Sequence, residues 1–184
     1  MEKVVIDTNV IVSALIQSGY PNLIINELFI ENRIQLCISD ELMAEYYEVL
    51  ARPKFSKFPD FFIRAEALLA EIESKATKYI PTVKLQLIAD RDDNMILELA
   101  DECLANFVIT GNTTDFTFST YKLTKIVTPK EYWDNHQPGG GKLEIKIYLL
   151  VPVHIRLATV DKSTYSVLLR SAKVYGYRST YKTK

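Results

Sequence analysis

Unbroken runs of apolar residues predict the strands of this chain. The first run covers residues 4–6 and leads directly into the polar triplet Asp7-Thr8-Asn9. Successive apolar positions, without alternation, are typical of a parallel strand that is buried on both faces. Comparable short runs predict further strands at residues 36–38, 107–110 and 125–127. We therefore expect a central strand that ends at Asp7.

Apolar residues spaced three and four positions apart predict helices between these strands. The predicted helices cover residues 10–16, 23–32, 40–50, 60–76, 90–103 and 129–136. Ser39 offers an N-cap for the third of them, and Pro53 prevents its continuation. Strands that alternate with helices favour a parallel α/β sheet with right-handed crossovers. The strand ends at Asp7, Ser39 and Thr110 should therefore meet at one edge of the sheet.

The composition fits one domain followed by a small basic extension. The chain has 184 residues, of which 48% are hydrophobic, enough for a single packed core. Residues 1–141 carry 13 Lys and Arg against 21 Asp and Glu, whereas residues 142–184 carry 9 against 2. We predict a body over residues 1–137, a Gly-rich linker over 138–141 and a basic extension over 142–184.

The basic extension has the pattern of strands. Apolar and polar residues alternate after the linker, which predicts a β-ribbon, and residues 165–172 predict a short helix. Basic residues interleaved with tyrosines could bind RNA through phosphate contacts and stacking. The same segment could equally be a dimerisation or docking ribbon, or a solvated tail without a partner.

Cysteine and hydropathy patterns favour a cytoplasmic protein. Cys37 and Cys103 lie inside apolar runs, which predicts buried free thiols in a reducing compartment. No apolar stretch approaches the roughly 20 residues that are needed to cross a bilayer. No basic N-terminal region precedes a long apolar core. We therefore expect a cytoplasmic location and no membrane partner.

Acidic residues cluster near the predicted edge of the sheet. Asp7 follows the first strand, Asp115 follows the third, and residues 90–94 read Asp-Arg-Asp-Asp-Asn. Converging carboxylates repel one another, and a hard divalent cation with oxygen ligands removes that repulsion. Simpler interpretations exist, since Asp7 could only cap a helix and Asp92 is expected to do so. Glu45 could be a solvated helix carboxylate, and Asp115 could lie in an ordinary turn.

Four short motifs together resemble one known family. They are Val-Ile-Asp-Thr-Asn at residues 5–9, Glu45-Tyr46 ahead of Val-Leu-Ala-Arg-Pro-Lys-Phe at 49–55, the acidic motif at 90–94, and Ile-Thr-Gly-Asn at 109–112 with Asp115-Phe116. In this order, they resemble a PIN domain, specifically the small VapC-like toxin of bacterial and archaeal toxin–antitoxin pairs. The resemblance covers about residues 1–136. It implies a three-layer α/β/α fold with a central parallel sheet.

The resemblance also implies a metal-dependent endoribonuclease that uses one or two Mg²⁺ or Mn²⁺ ions. The implied metal ligands, which are also the implied catalytic residues, are Asp7, Glu45, Asp93 and Asp115. The implied supporting residues are Thr8, Asn9, Asp90, Thr110 and Asn112. Asn112 departs from the family pattern, because many relatives have an acid there. The implied partners are an RNA substrate, a small protein antitoxin and a second copy of the chain.

Other functions fit parts of the sequence. A PIN-like scaffold could bind RNA or protein without cutting it, a hypothesis that Asn112 raises. A phosphatase of the haloacid dehalogenase type also has an aspartate after an apolar strand. That family has Asp-x-Asp where this chain has Asp7-Thr8-Asn9. The sequence has no Gly-rich loop that ends in Gly-Lys-Ser or Gly-Lys-Thr, which argues against a P-loop nucleotidase.

Overall fold

Six strands form one sheet in the computed structural model, which describes residues 1–136 of the chain. The strands are β1 (Glu2–Ile6), β2 (Ile34–Ile38), β3 (Thr77–Lys78), β4 (Phe107–Ile109), β5 (Thr120–Tyr121) and β6 (Thr124–Val127). Their order across the sheet is β3-β2-β1-β4-β6-β5. The predicted linker over 138–141, and the ribbon and helix in 142–184, lie outside the described residues.

The first strand lies in the interior of the sheet, as the sequence predicts. Val4 pairs with Leu36 on one side and with Phe107 on the other, and both neighbouring strands are parallel to β1. The last three residues of β1 are fully buried, because packed elements cover both faces of the sheet. The buried central strand that ends at Asp7 is thus confirmed.

The two edge strands differ from the prediction. β3 and β5 contain two residues each, too few for a periodic pattern to reveal them. β3 is parallel to β2, whereas β5 runs antiparallel to β6. A tight turn joins β5 to β6, and Lys122 adopts a positive φ of 51° in it. The predicted parallel sheet is therefore confirmed for five strands, and the short antiparallel strand β5 lies at its edge.

Helices on the two faces of the sheet complete a three-layer α/β/α architecture, as expected. The helices are α1 (Thr8–Ile16), α2 (Tyr20–Leu23), α3 (Asp40–Leu50), α4 (Phe61–Lys75), α5 (Arg91–Cys103) and α6 (Pro129–His136). The helix predicted over 23–32 is instead α2 continued by a π-helical stretch, Ile24–Phe29. A 3₁₀-helix, Pro53–Lys57, follows α3 and has no counterpart in the prediction.

The third helix docks onto the end of β1. Its N-cap is Ser39, as predicted, and the Ser39 hydroxyl accepts a hydrogen bond from the Leu42 N–H at 3.2 Å. Tyr46 is fully buried, and its hydroxyl donates a hydrogen bond to the Ile6 carbonyl. Because this bond joins α3 to the last residue of β1, it brings the neighbouring Glu45 close to the same strand end.

Two buried side chains of α5 hold the irregular connection that precedes it. Glu98 accepts a hydrogen bond from the Leu85 N–H at 2.7 Å, and Asn94 accepts one from the Leu87 N–H at 2.8 Å. Glu98 and Asn94 are only 1% and 3% exposed, so these partners offset the cost of burying polar groups. The connection and the N-terminal turn of α5 therefore form one fixed unit, which contains the acidic motif.

Two smaller predictions can be compared with the described residues. Cys37 lies on β2, Cys103 is the last residue of α5, and both are buried free thiols, as expected. Within residues 1–136, no helix is both long enough and apolar enough to cross a membrane.

The contact between Tyr46 and β1 can be tested by removing one hydroxyl group. Tyr46→Phe should lower the free energy of unfolding by about 1–2 kcal/mol, because the buried Ile6 carbonyl loses this donor. Tyr47→Phe is the matched control, since Tyr47 is exposed and its hydroxyl bonds to Glu73 at the surface. Tyr47→Phe should lower the free energy of unfolding by less than about 0.5 kcal/mol. Urea denaturation monitored by circular dichroism measures both values. Equal losses in the two variants would contradict the docking role of Tyr46.

Candidate functional site

The Asp7 carboxylate lies at the junction of β1, α1 and the loop after β4. Oδ1 accepts a hydrogen bond from the Asn9 N–H at 3.0 Å, which makes Asp7 the N-cap of α1. Oδ2 accepts one from Asn9 Nδ2 at 2.8 Å and another from the Thr110 hydroxyl. Asp7 is only 6% exposed, and this burial raises its pKa although these hydrogen bonds favour the charged form. Asp7 therefore does cap α1, and its carboxylate also joins the start of α1 to the loop after β4.

The loop after β4 approaches the start of α1 closely. Asn9 Oδ1 accepts a hydrogen bond from the Gly111 N–H at 3.1 Å. A Cβ atom at Gly111 would lie 3.2 Å from Asn9 Oδ1, so a larger residue there would press on this contact. The Thr110 hydroxyl also accepts a hydrogen bond from the Asn112 N–H at 2.9 Å. Thr110 thus links Asp7 to the next polar residue of the loop.

Asn112 connects two of the predicted site acids. Its Nδ2 donates to Asp93 Oδ2 at 3.2 Å and to Asp115 Oδ2 at 2.7 Å. Asp93 is 6% exposed, and its pKa is raised to about 6. Burial is the main cause, followed by the charges of Asp7, Asp90 and Asp115, while the Asn112 amide partly opposes them. The amide therefore holds together two carboxylates that repel each other.

Glu45 brings a fourth carboxylate to this edge. Burial is the main cause that raises its pKa to about 7, and the charges of Asp92, Asp7 and Asp90 add to the rise. The Thr8 hydroxyl opposes the rise, with an effect second only to that of burial. Within residues 1–136, two buried side-chain oxygens have no hydrogen-bond partner, and they are Glu45 Oε2 and Thr8 Oγ1. Buried polar atoms without partners are rare, and each needs an explanation such as an ion or a water molecule.

In the acidic motif at residues 90–94, the residue that caps the helix is not the one that was predicted. Asp90 is the N-cap of α5, because its Oδ1 accepts a hydrogen bond from the Asp92 N–H at 2.8 Å. Asp92 lies inside the first turn of α5, so the expectation that it would be the cap is wrong. The cap needs the extended backbone that precedes the first helical residue, and only Asp90 has it. Asp93 follows in the first turn and lies buried beside Asn112.

The described acids form an open arrangement rather than a closed metal cage. Within residues 1–136, no three carboxylate, histidine or cysteine side chains lie close enough together to share one metal ion. Mg²⁺ usually takes only one or two carboxylates directly and completes its coordination with water and substrate oxygens. The available donors are all oxygen atoms, the type that hard divalent cations prefer. The residues therefore suit a divalent cation chemically.

The negative charge at this edge has no local counterion among the described residues. No ion pair within residues 1–136 involves Asp7, Glu45, Asp93 or Asp115. The nearby Arg91 turns away from them, and its guanidinium pairs with Glu98 Oε1 at 2.7 Å and with Glu41 at 3.5 Å. Such a field attracts cations, and this attraction is strongest where the surroundings exclude water.

Sequence reasoning missed two features of the site. The sequence marks Asn112 as a supporting residue and as a departure from the family pattern, but it does not predict that Asn112 bridges two acids. Its spacing to Asp115, three residues along the chain, is the signal that could have suggested a local contact. The bond from Tyr46 to the Ile6 carbonyl was also missed, because no sequence pattern shows which atom a buried tyrosine hydroxyl reaches.

Comparisons with known proteins show what this sequence is similar to. The sequence model of the PIN domain family matches residues 3–114, a span that contains Asp7, Glu45 and Asp93 and ends one residue before Asp115. An uncharacterized protein of Methanocaldococcus jannaschii is 33% identical over 111 residues. That alignment covers 60% of this chain and 70% of the relative.

The raised pKa of Glu45 predicts a particular dependence of stability on pH. Its folded pKa of about 7 lies above the ordinary 4.5, so the folded state holds this proton more tightly than the unfolded chain does. The contribution of protonated Glu45 to the free energy of unfolding is fully present below about pH 4.5 and is lost as the pH rises through 7. In EDTA, the free energy of unfolding of wild type should therefore fall by about 1–2 kcal/mol relative to that of Glu45→Gln between pH 5 and pH 8. This figure is reduced to allow for solvent screening, because Glu45 is partly exposed.

Glu48→Gln is the control for this measurement, because Glu48 is exposed on the same helix and forms a surface ion pair with Arg52. Its free energy of unfolding should follow that of wild type across the pH range. Urea denaturation at each pH provides the comparison. Parallel curves for wild type and Glu45→Gln would show that the pKa of Glu45 is not raised in the folded protein.

Proposed function

We propose that this chain, which belongs to the PIN domain family, is a metal-dependent endoribonuclease. Its active site would be the acidic edge, which consists of Asp7, Glu45, Asp93 and Asp115. PIN domains are typically nucleases, and they generally use divalent metal ions. The observation that carries the proposal is the buried Glu45 Oε2, which lacks a partner and lies among carboxylates that have no counterion in the described residues.

Asp7 and Asp93 are the first candidates to hold Mg²⁺ or Mn²⁺, because both are buried at the edge and the charge of Asp7 raises the pKa of Asp93. Glu45 and Asp115 complete the candidate set on either side. When bound, one or two such ions would make a water molecule more acidic and stabilise the leaving oxygen of the cut phosphodiester. An endonuclease cuts within an RNA strand, so its active site must be open to that strand. The exposed position of Asp115 is compatible with such an opening.

The remaining residues of the site act by orientation. Asn9 and Thr110 donate to the Asp7 carboxylate and so fix its direction. Thr8 places a buried hydroxyl next to Glu45, and Asp90 fixes the start of the helix that carries Asp93. Such supporting contacts matter for metal affinity, because ligands that are free to rotate must be ordered when the ion binds.

We further propose that the protein acts as the VapC-like toxin of a toxin–antitoxin pair. The support is the resemblance of its four motifs to that class. In this setting a small protein antitoxin would occupy the acidic edge, and the toxin would be a homodimer. The target RNA strand would enter at the same edge.

A second candidate function is a PIN scaffold that binds RNA or protein without cutting. Asn112 favours it, because its amide satisfies Asp93 and Asp115 without a cation. Metal affinity separates the two candidates. A nuclease should be stabilised against heat by Mn²⁺, whereas a binding module could fold equally well with or without the ion.

Loss of cleavage in acid-to-amide variants tests the nuclease directly. Asp7→Asn and Asp93→Asn should each reduce cutting of an end-labelled RNA pool by about a hundredfold or more, because each removes a charged candidate ligand. EDTA should have the same effect on wild type. Asp60→Asn is the matched control, because Asp60 is exposed at a positive φ of 54°, a conformation that asparagine also tolerates. Equal cutting by wild type and Asp7→Asn would contradict the proposed active site.

Asn112→Asp tests whether the amide replaces a cation. The change removes two donated hydrogen bonds and adds a third charge beside Asp93 and Asp115. In EDTA it should lower the free energy of unfolding by about 1–2 kcal/mol, and Mn²⁺ should stabilise it more than wild type. Asn32→Asp is the control at an exposed position. If Asn112→Asp costs no more than the control, Asn112 does not hold the two acids together.

A further inference from the structure

A cleft of about 230 Å³ opens beside the acidic edge. The loop after β4, the strand β6 and the start of α6 line it. Thr110 and Asn112 belong both to this lining and to the acidic site, where they donate to Asp7, Asp93 and Asp115. The cleft is therefore continuous with the acidic edge, and a strand cut at that edge would pass its mouth.

The chemistry of the lining suits a flat, neutral group. Two aromatic rings contribute, Phe116 and Phe118, with centroids 6.4 Å apart and planes inclined at 68°. The hydroxyl groups of the lining belong to Thr110, Thr113, Thr117, Ser119 and Thr128. Among residues 1–136, no lysine or arginine lines the cleft, which disfavours a phosphate group as its occupant. Nucleobases, in contrast, stack on aromatic side chains and form hydrogen bonds along their edges.

Glu131 adds one fixed acceptor to this cleft. Its Oε2 accepts hydrogen bonds from the Thr128 N–H at 2.8 Å and from the Thr128 hydroxyl at 2.9 Å, a capping box at the start of α6. These bonds lower the pKa of Glu131, so the side chain is charged at neutral pH. Within the described residues Oε1 accepts no hydrogen bond. A carboxylate oxygen thus remains for a ligand that presents N–H donors.

We propose that this cleft is a nucleobase subsite that takes a guanine of the RNA strand close to the cut phosphate, an inference that rests on the proposed endoribonuclease function. Guanine presents the N1–H and N2–H₂ donors side by side on its Watson–Crick edge. Adenine, cytosine and uracil each present one donor group there. Guanine therefore matches a charged acceptor best, while the threonine hydroxyls can donate to its O6. Glu131 would set the base preference, and Phe118 would contribute stacking whatever the base.

Mapping of cut sites in a random RNA pool tests the preference. Wild type with Mn²⁺ should cut with guanine enriched at one fixed position next to the cut, and Glu131→Gln should reduce that enrichment about tenfold. Glutamine can keep the capping bonds to Thr128, so the helix start is preserved. Glu31→Gln, at an exposed position outside the cleft, should leave the enrichment unchanged. Enrichment that survives in Glu131→Gln would overturn the assignment.

A binding measurement separates this inference from the nuclease proposal. In EDTA, fluorescence anisotropy should show wild type binding a uridine hexanucleotide with one guanine about tenfold more tightly than the same RNA with adenine there. Glu131→Gln should lose this difference, and Phe118→Leu should weaken binding of both RNAs about fivefold. Selective binding in EDTA by a protein that does not cut the RNA pool in Mn²⁺ would support the subsite and refute the nuclease. Cutting with no base preference, or equal affinity for the two RNAs, would refute the subsite and leave the nuclease intact.

Discussion

The buried carboxylate of Asp7 is the constraint on which the site depends. It ends the central strand, caps the first helix and receives the Thr110 hydroxyl from the loop after β4. A buried charge without partners is costly, so these three elements must meet at one point for the chain to fold. Asn9 and Gly111 then close the contact between the helix start and the loop. The geometry of the candidate site therefore follows from satisfying a single carboxylate.

Repulsion among the acids is the second physical feature of this edge. Glu45 and Asp93 hold their protons more tightly than ordinary carboxyl groups do, with pKa values of about 7 and about 6. Arg91 could have offset this repulsion, but it pairs with Glu98 and fixes the preceding loop instead. Arg91 thus stabilises the loop, and the edge stays negative within the described residues. A divalent ion would compensate this charge, and the amide of Asn112 already donates to two of the acids.

The sequence predicts the parts of the fold that depend on burial. The run before Asp7, the Ser39 cap and the strand that ends near Thr110 all appear where the apolar pattern places them. The two-residue edge strands leave no such pattern, and the reversal at β5 depends on a turn residue with positive φ, Lys122.

Site residues are harder to predict than the fold, because their roles depend on which atoms face each other. The sequence places Asp90, Asp92 and Asp93 in one motif, but it cannot tell which of them caps the helix, since all three have the same chemistry. Parallel-strand topology brings Asp7 and the loop after β4 to one edge, and sequence reasoning anticipates that meeting. The bridging amide of Asn112 is a matter of side-chain contacts, which only the structure reveals.

Anomalous diffraction from crystals grown with Mn²⁺ is the most direct test of the central claim that these acids hold a divalent ion. The account predicts a strong peak between the carboxylates of Asp7 and Asp93, with Glu45 or Asp115 oriented toward it, and no such peak in crystals of Asp7→Asn. Wild-type crystals without a peak at this edge, in which Asn112 still donates to Asp93 and Asp115, would contradict the account.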